Sequence, residues 1–200
     1  MLQLPHTVVL RNLIDQVDCD ARIVPIDREM AKRKIDVEWW QIGGSRTKRK
    51  EEGDHDWNWT KFFGERRGDL HREMVAVVTE DDAVQGAMTY WTNGKSLLDS
   101  ELGSVYVQYI ATAPRNRPWL VDQPCFQGVG SVLLLYAVCH SYILGLGGRV
   151  TLVSLPTEKT KEFYANRGFT KIDEDEDGSM EFELTPEGAE RWLREEGLLS

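Results

Sequence analysis

Two glycines stand just ahead of a long apolar stretch, in the segment Gln127-Gly128-Val129-Gly130-Ser131. At the start of a helix the first backbone N–H groups have no partner within the helix, and glycine lets an oxygen atom approach them closely. The helix dipole adds positive character at the same point. These residue types in this order suit an anion, above all a phosphate or pyrophosphate. A plain glycine turn that enters a core helix is the open alternative.

Two familiar phosphate motifs do not fit the sequence. The dinucleotide fingerprint needs a third glycine where Leu133 stands, and a strand that runs directly into the turn. The P-loop needs a glycine five residues before the Gly94 of Gly94-Lys95-Ser96, and Thr89 occupies that place. Neither nucleotide motif therefore explains the glycine turn.

The elements that would position the turn become readable from Arg72 onward. Two β-branched and aromatic runs, 74–80 and 83–91, predict a hairpin, and Asn93-Gly94 is predicted to close its second strand. A third strand is predicted over Ser104–Thr112. It stops before Pro114, because proline has no N–H to donate to a neighbouring strand.

Helix and strand signals alternate in the rest of the chain. The helix after the glycine turn has apolar residues on all sides from Val132 to Leu146, which predicts that it is buried. Gly168 is predicted to cap a short helix, and Thr185 to begin the last one. The strands and the loop predicted in this part are Arg149–Leu155, Phe169–Ile172, the acidic loop Asp173–Gly178, and Ser179–Leu184.

The order of these elements resembles the GCN5-related N-acetyltransferase (GNAT) family over about residues 72–184. The most specific pieces are the turn Cys125-Phe126-Gln127-Gly128-Val129-Gly130 and the segment Phe163-Tyr164-Ala165-Asn166-Arg167-Gly168-Phe169. Ala113 to Arg117 is also similar to an Ala-Pro-x-Asn-Arg stretch in some bacterial members. The resemblance implies an α/β (α+β) fold: a mixed, mostly antiparallel sheet flanked by helices, with a splayed central strand pair.

One GNAT-like domain over residues 1–200 is expected, because a chain of this length with 41% apolar residues buries one sizeable core. Its parts are the matched core 72–184, an N-terminal acceptor-side segment 1–71, and a C-terminal helix in 185–200. Ile42–Asp69 is interpreted as a loop with one short helix, and its basic run Arg46–Lys50 as a solvated loop.

The resemblance implies acetyl-CoA as cosubstrate. In the family the glycine turn holds the pyrophosphate through backbone N–H groups, and the backbone of the splayed strand pairs with the pantetheine amides. The residues in these two roles are Gln127, Gly128, Val129, Gly130 and Ser131 in the turn, and Ile110, Ala111 and Thr112 in the strand. Cys125 stands where the family has Gln or Arg, so this position departs from the family's side-chain contact with the phosphate, while the backbone contacts do not depend on it.

The resemblance further implies that Tyr164 donates a proton to the departing thiolate, while packing of the short helix is the alternative role for this residue. The amide of Ile110 or Ala111 would polarise the acetyl carbonyl. The general base is open, because the inward strand residue is Gln108 where several family members have a glutamate. The remaining candidates are Glu101, Glu73, Asp99 and a chain of water molecules. Cys125 is not expected to carry an acyl group, because it would lie at the wrong end of the cosubstrate.

The acceptor is expected to be a primary amine, and a cationic one is a hypothesis. The acidic loop would attract it, and the tryptophans of Trp39-Trp40 and Trp57-Asn58-Trp59 would hold it by cation–π contact. Core tryptophans and a solvated acidic turn are the competing interpretation. Two other functions stay open: a non-catalytic acyl-CoA-binding sensor, and an interaction module that uses exposed tryptophans and the acidic C-terminal segment.

Composition narrows the range of partners. The net charge of −9 arises in residues 173–200, which carry 2 basic and 11 acidic residues, so neither a nucleic acid nor a membrane is expected as partner. Three unevenly spaced cysteines predict neither a disulfide framework nor a metal site. A reducing, cytoplasmic location is expected from this cysteine usage, and the N-terminal sequence does not favour secretion. A homodimer is left open, since dimers are frequent in the family.

Overall fold

A computed structural model describes residues 2–41, 48–50, 52–66 and 68–199. The strands are β1 (Thr7–Asn12), β2 (Val17–Pro25), β3 (Arg72–Thr79), β4 (Val84–Lys95), β5 (Gly103–Thr112), β6 (Phe126–Gln127), β7 (Val150–Ser154), β8 (Thr170–Glu174) and β9 (Met180–Leu184). The helices are α1 (Met30–Val37, π-helical), α2 (Trp59–Glu65), α3 (Val129–Ile143), α4 (Glu158–Ala165) and α5 (Pro186–Glu195). Within these described residues, no helix is both long and apolar enough to cross a membrane.

The nine strands hydrogen-bond into one sheet in the order β6-β1-β2-β3-β4-β5-β7-β9-β8. Strand β1 pairs antiparallel with β2 and β6, and β9 does the same with β7 and β8. Strands β5 and β7 run parallel. The fold is therefore α+β with a single mixed, mostly antiparallel sheet flanked by helices, as the sequence predicts.

Strand β5 changes its hydrogen-bonding side along its length. The register with β7 covers Val105 to Val107, and the Val105 N–H donates to the Arg149 carbonyl at 3.1 Å. The Ala113 N–H, just after the strand, donates to the Gln85 carbonyl of β4 at 2.8 Å. Residues an even number apart in a regular strand point their N–H groups to the same side. Because β4 and β7 lie on opposite sides of β5, the strand contains an irregularity of the β-bulge kind after Val107.

The chain forms two compact units. The N-terminal unit comprises Pro5–Thr89 with Tyr109–Leu133, and the C-terminal unit comprises Tyr90–Gln108 with residues 134–199 and 2–4. The core of the N-terminal unit is built from apolar and aromatic side chains of α1, α2, β3 and the end of β5. Asp36 at the end of α1 fixes the start of α2, because its carboxylate accepts the N–H groups of Trp59 and Thr60.

The core of the C-terminal unit is centred on α3 and the strands β7 and β9. Residues 133–139 of α3 are all buried, which confirms the predicted buried helix. Gly145, Gly147 and Gly148 follow its last turn with positive φ angles, a conformation that glycine adopts without strain. Gly148 is also required for space, since a Cβ there would lie 2.6 Å from the Ala189 Cβ.

Most element predictions from Arg72 onward are confirmed, and two differ from the structure. Asp173 and Glu174, predicted to lie in the acidic loop, are the last residues of β8. Asn93-Gly94 does not close the second hairpin strand, which continues to Lys95. Gly94 lies inside that strand, at a position with no room for a side chain. A Cβ there would come within 2.8 Å of the Tyr106 Cβ and 3.0 Å of the Ser104 carbonyl. The glycine thus permits close strand contact and does not signal a turn.

The region Ile42–Asp69 contains the predicted short helix, α2, which Asn58 caps by accepting the Lys61 N–H at 2.7 Å. Of the basic run Arg46–Lys50, the first two residues lie outside the described part of the chain, and Lys48 and Lys50 are exposed. Strands β1 and β2 were not predicted from the sequence.

Candidate active site

The glycine turn has the geometry that its sequence suggests. Gly128 is exposed and has a φ of +91°, and a Cβ at this position would meet no atom within 4 Å. Its carbonyl accepts the first helical hydrogen bond from the Val132 N–H, so the 15-residue helix α3 starts directly behind it. The open space above Gly128, together with the helix dipole, fits an anionic group such as a pyrophosphate.

The turn rests on strand β4. Val129, the first residue of α3, is buried, and it lies against Gly86 of β4. A Cβ on Gly86 would overlap the Val129 Cγ1 atom, and it would lie 3.1 Å from the Leu133 Cδ1 atom and 3.2 Å from the Ala111 carbonyl. The absence of a side chain at Gly86 therefore sets how closely the first turn of the helix approaches the sheet.

The segment before the turn is held through its backbone. Phe126 and Gln127 form β6 and pair with Asn12 and Arg11 of β1. The Cys125 carbonyl accepts the Leu13 N–H at 2.8 Å, and the Cys125 N–H donates to the Arg115 carbonyl at 3.0 Å. Cys125 itself is half-buried and offers no cationic or amide donor to a phosphate. Backbone pairing therefore holds Cys125 to Gln127 at the entry to the turn, and the Asn116 side chain adds one hydrogen bond, since its Oδ1 accepts the Phe126 N–H at 3.1 Å.

The end of β5 carries the predicted pantetheine contacts. Ala111 is buried, and Ile110 and Thr112 are half-buried. The Thr112 carbonyl accepts two hydrogen bonds from Arg117, from Nε at 3.0 Å and from Nη2 at 2.7 Å. Because a carbonyl oxygen has two lone pairs, the Thr112 carbonyl has no further capacity for a pantetheine amide. A ligand contact at Thr112 would have to use its N–H group.

Arg117 is a buried cation that the sequence analysis names only as the last residue of the stretch Ala113 to Arg117. Its guanidinium is buried and forms ion pairs with Asp54 and with Glu52, the latter at 2.7 Å. These carboxylates raise the pKa of Arg117 against the opposing effect of burial. Trp119 is 47% exposed, and its indole N–H donates to the other Glu52 oxygen at 2.9 Å. The cluster ties the segment 52–54 to the end of β5.

Tyr164 lies on α4 in the C-terminal unit and is only 5% exposed. Its ring contacts those of Phe163, Phe169 and Phe182, with centroids 5.2 to 5.8 Å apart. Burial raises the pKa of its phenol above the ordinary value, and the positive charge of Arg167 acts in the opposite direction. The residue is therefore a neutral phenol at neutral pH. Its role as proton donor stays a prediction beside the packing role.

The candidate general bases differ in their surroundings. Glu73 accepts a hydrogen bond from Arg66 at 3.2 Å. Glu101 is exposed, and the exposed Asp99 accepts the Glu101 N–H at 3.0 Å, as expected for a turn residue. Gln108 is half-buried on β5. None of these arrangements identifies the base, which stays open.

For three of the four tryptophans the structure favours the competing interpretation, a place in the core, over contact with an amine. Trp39, Trp40 and Trp59 are buried in the core of the N-terminal unit, so they present no free face to an amine or to a protein partner. Trp57 is half-buried and packs edge-on against Tyr109, with centroids 4.7 Å apart. The sequence could not show whether these tryptophans are buried or exposed, because the residues around them follow no helical or strand periodicity.

The acidic residues from Asp173 to Asp177 are all exposed, the first two at the end of β8 and the other three in the loop that follows. Glu174 forms an ion pair with the buried Lys161 of α4, so its charge is neutralised locally. Hydrogen bonds from Ser179 lower the pKa of Asp177. The described ranges contain no group of three or more His, Cys, Asp or Glu side chains placed to hold a metal ion.

No family model and no curated protein matches the sequence. Solved structures, by contrast, match it over most of its length. Apo FdhC, described as a nucleotide-linked sugar GNAT, has a TM-score of 0.60 at 11% identity, over 96% of this chain and 97% of its own. The GNAT domain of S. lividans PAT has a TM-score of 0.59 at 20% identity, over 88% and 94%.

A third match is a mutant of the toxin AtaT, solved with the C-terminus of the antitoxin AtaR and acetyl-CoA. Its TM-score is 0.55 at 15% identity, over 86% of this chain and 98% of the toxin. Identities this low show the fold alone. The chain therefore has the fold of the GNAT acetyltransferases, which is what its sequence resembles.

Proposed function

We propose that this chain is an N-acetyltransferase that moves the acetyl group of acetyl-CoA to a primary amine within a ternary complex. The observation that carries the proposal is Gly128. It combines a φ of +91°, open space where a side chain would stand, and a position at the start of a 15-residue helix. The GNAT fold adds support, because the turn follows β5 in the chain, and β5 is the strand that would bind pantetheine.

The residues of the turn and of β5 would bind the cosubstrate by backbone groups. The N–H groups from Gly128 to Ser131 would receive the pyrophosphate, and Ile110 to Thr112 would pair with the pantetheine arm. Acetyl-CoA supplies an activated thioester. The N–H of Ile110 or Ala111 would stabilise negative charge on the acetyl oxygen as the amine attacks.

The sulfur that leaves acetyl-CoA needs a proton, and Tyr164 would supply it. The amine nitrogen forms a bond to the acetyl carbon, the carbon–sulfur bond breaks, and the sulfur leaves with the electron pair. Tyr164 would give its phenol proton to this sulfur, and the attacking nitrogen would lose a proton to a base or to water. Burial favours the protonated phenol, which is the form that a donor needs.

A second candidate is an acyl-CoA-binding protein without catalysis. It is favoured by the enclosure of Tyr164 among three phenylalanine rings, which is what a purely structural tyrosine would show. The lack of an identified base and the cysteine at position 125 agree with it. For the interaction module, Trp39, Trp40 and Trp59 are excluded because they are buried, and the exposed Trp119 and the acidic C-terminal segment remain.

The test of acetyl-CoA binding uses two glycine variants. Gly128 and Gly145 are both exposed, both have positive φ, and a Cβ at either position would meet nothing within 4 Å. Gly128→Ala and Gly145→Ala should therefore cost similar stability, about 1–2 kcal/mol for the left-handed conformation. Thermal stabilisation by acetyl-CoA, measured against its concentration, gives the affinity of each variant.

We expect only Gly128→Ala to lose acetyl-CoA affinity, by at least about tenfold, or 1.4 kcal/mol. Equal affinities for the two variants would remove the turn from the site. No stabilisation of the unaltered protein would exclude both acyl-CoA functions. Stabilisation without amine-dependent thiol release, across a panel of amines, would favour the binding protein over the enzyme.

A further inference from the structure

Asn116 connects strand β4 to the segment that enters the glycine turn. It is 8% exposed, and its Nδ2 donates to the Gln85 carbonyl and to the Gln85 Oε1, each at 3.1 Å. Its Oδ1 accepts the Phe126 N–H at 3.1 Å. The partners fix which amide atom is oxygen, because a backbone N–H needs an acceptor and a carbonyl needs a donor.

Arg115 strengthens the same connection. Its guanidinium donates to the Gln85 Oε1 at 3.1 Å and to the Val84 carbonyl at 2.7 Å. Its own carbonyl accepts the Cys125 N–H at 3.0 Å. The N–H groups of Cys125 and Phe126, the two residues before Gln127, are therefore both hydrogen-bonded to the turn Pro114–Asn116.

Gln85 anchors this network in the sheet. It is 1% exposed, and its Nε2 donates to the Thr79 hydroxyl oxygen at 2.8 Å, so the amide cannot rotate without losing several hydrogen bonds. The next residue of β4 is Gly86, which lies against Val129. Two consecutive residues of β4 thus support the glycine turn. Gln85 holds the segment before the turn through Asn116, and Gly86 packs against Val129, which follows the turn.

We propose that Asn116 is a positioning residue for the pyrophosphate end of an acyl-CoA. It holds Phe126, two residues before Gly128, so that the N–H groups of the turn converge on one point before the ligand arrives. Cys125 contributes no phosphate-binding side chain, which makes the backbone geometry of the turn the main determinant of affinity. This inference rests on the proposed function.

The test compares a complete and a truncated acetyl donor. Asn116→Ala removes all three hydrogen bonds, and Asn116→Asp keeps the shape and the acceptor for Phe126 while it loses both bonds to Gln85. Ser141→Ala is the control, because Ser141 is also buried and donates to a backbone carbonyl, that of Arg149, at 2.7 Å. All variants are assayed with acetyl-CoA and with acetyl-pantetheine, which lacks the pyrophosphate.

Both Asn116 variants should raise the KM for acetyl-CoA at least about tenfold, with kcat little changed. Their kcat/KM for acetyl-pantetheine should equal that of Ser141→Ala. A purely structural role would lower activity with both donors alike and would overturn the inference, as would an unchanged acetyl-CoA KM in either folded variant. Failure of both Asn116 variants to fold would also overturn it. If the unaltered protein neither binds acetyl-CoA nor uses either donor, it is the proposed function that fails.

Discussion

Gly86 of strand β4 lies directly against Val129, the first residue of helix α3. Gly86→Ala should push the first turn of the helix away from the sheet, because the added methyl group overlaps the Val129 side chain. Overpacking of this kind costs about 1–3 kcal/mol. We expect lower stability in urea unfolding and weaker acetyl-CoA binding.

Gly64→Ala is the matched control for this substitution. Gly64 lies in α2, and a Cβ there would meet nothing within 4 Å. Alanine should stabilise that helix by up to about 1 kcal/mol and leave acetyl-CoA binding unchanged. Equal stability and equal acetyl-CoA binding in the two variants would contradict the predicted displacement of the helix by Gly86→Ala.

Substitution of Arg117 is expected to lower the free energy of unfolding strongly. Arg117→Met should cost about 3–5 kcal/mol, because Asp54 and Glu52 would remain largely buried without their cation. Arg117→Lys should cost less, since it keeps the charge but cannot reach both carboxylates and the Thr112 carbonyl at once. Urea unfolding at neutral pH measures both.

The control for Arg117 is an exposed ion pair in the same unit. Arg11 and Asp18 are 3.1 Å apart on the surface, and Arg11→Met should change stability by no more than about 1 kcal/mol. A similarly small loss for Arg117→Met would mean that water reaches the cluster and screens it.

The C-terminal part of the fold was predictable because its signals are local. Short apolar runs bounded by glycine and proline specify strands, and Thr185-Pro186 specifies a helix start whatever surrounds it. Strand β2 gives no such signal, since VDCDARIVP buries two residues only and most of its side chains are exposed. Its position depends on pairing with β1 and β3, which no local pattern encodes.

Buried polar groups were the least predictable part of the protein. Glu183 lies in the strand sequence MEFEL, where alternation places it on the solvent side, yet it is fully buried. Its carboxylate accepts hydrogen bonds from Ser96, from the Leu97 N–H and from Arg149. The partners are far away in the sequence, so only the folded chain brings them together. The same holds for Asn116.

The buried thiol of Cys139 should make the folded protein less stable at alkaline pH. Burial raises the pKa of its thiol from 9.0 to about 11. In the unfolded chain the thiol ionises near its ordinary pKa, whereas in the folded protein it stays neutral to higher pH. The stabilisation is therefore fully present below pH 9 and is lost as the pH rises towards 11.

The measurement is the free energy of unfolding at several pH values from 8 to 11. Cys139→Ala should be less stable at pH 8, because it leaves a small cavity, and should show a shallower decline above pH 9 than the unaltered protein. Parallel pH profiles for the two proteins would contradict a contribution from this thiol.

Tyr164→Phe tests the proton donor. The substitution keeps the ring contacts with Phe169 and Phe182 and removes the hydroxyl group alone. We expect kcat to fall by about 10²–10⁴, the usual contribution of general acid catalysis, and acetyl-CoA affinity to stay the same. Tyr136→Phe, at another buried tyrosine, should leave kcat unchanged. A kcat equal to that of the unaltered protein would assign Tyr164 to packing.

The acidic loop tests whether the acceptor is a cation. Four of its five acidic residues can be changed to amides without breaking the ion pair between Glu174 and Lys161: Asp173, Asp175, Glu176 and Asp177. If the loop attracts the acceptor, KM for a cationic amine should rise and kcat should change little, because the charges act on approach and not on the bond-making step. The rise should shrink with added salt, since the screening length is about 10 Å at 0.1 M.

A second variant with the same change in total charge distinguishes the effect of the loop on KM from a general effect of net charge. It neutralises four exposed acidic residues elsewhere in the chain: Asp20, Glu29, Glu80 and Glu195. Both variants change the total charge by the same amount, so a general electrostatic effect would raise KM equally in both. A rise confined to the loop variant, absent for a neutral amine, identifies a local attraction. An unchanged KM in the loop variant would contradict it and leave the loop as a solvated turn.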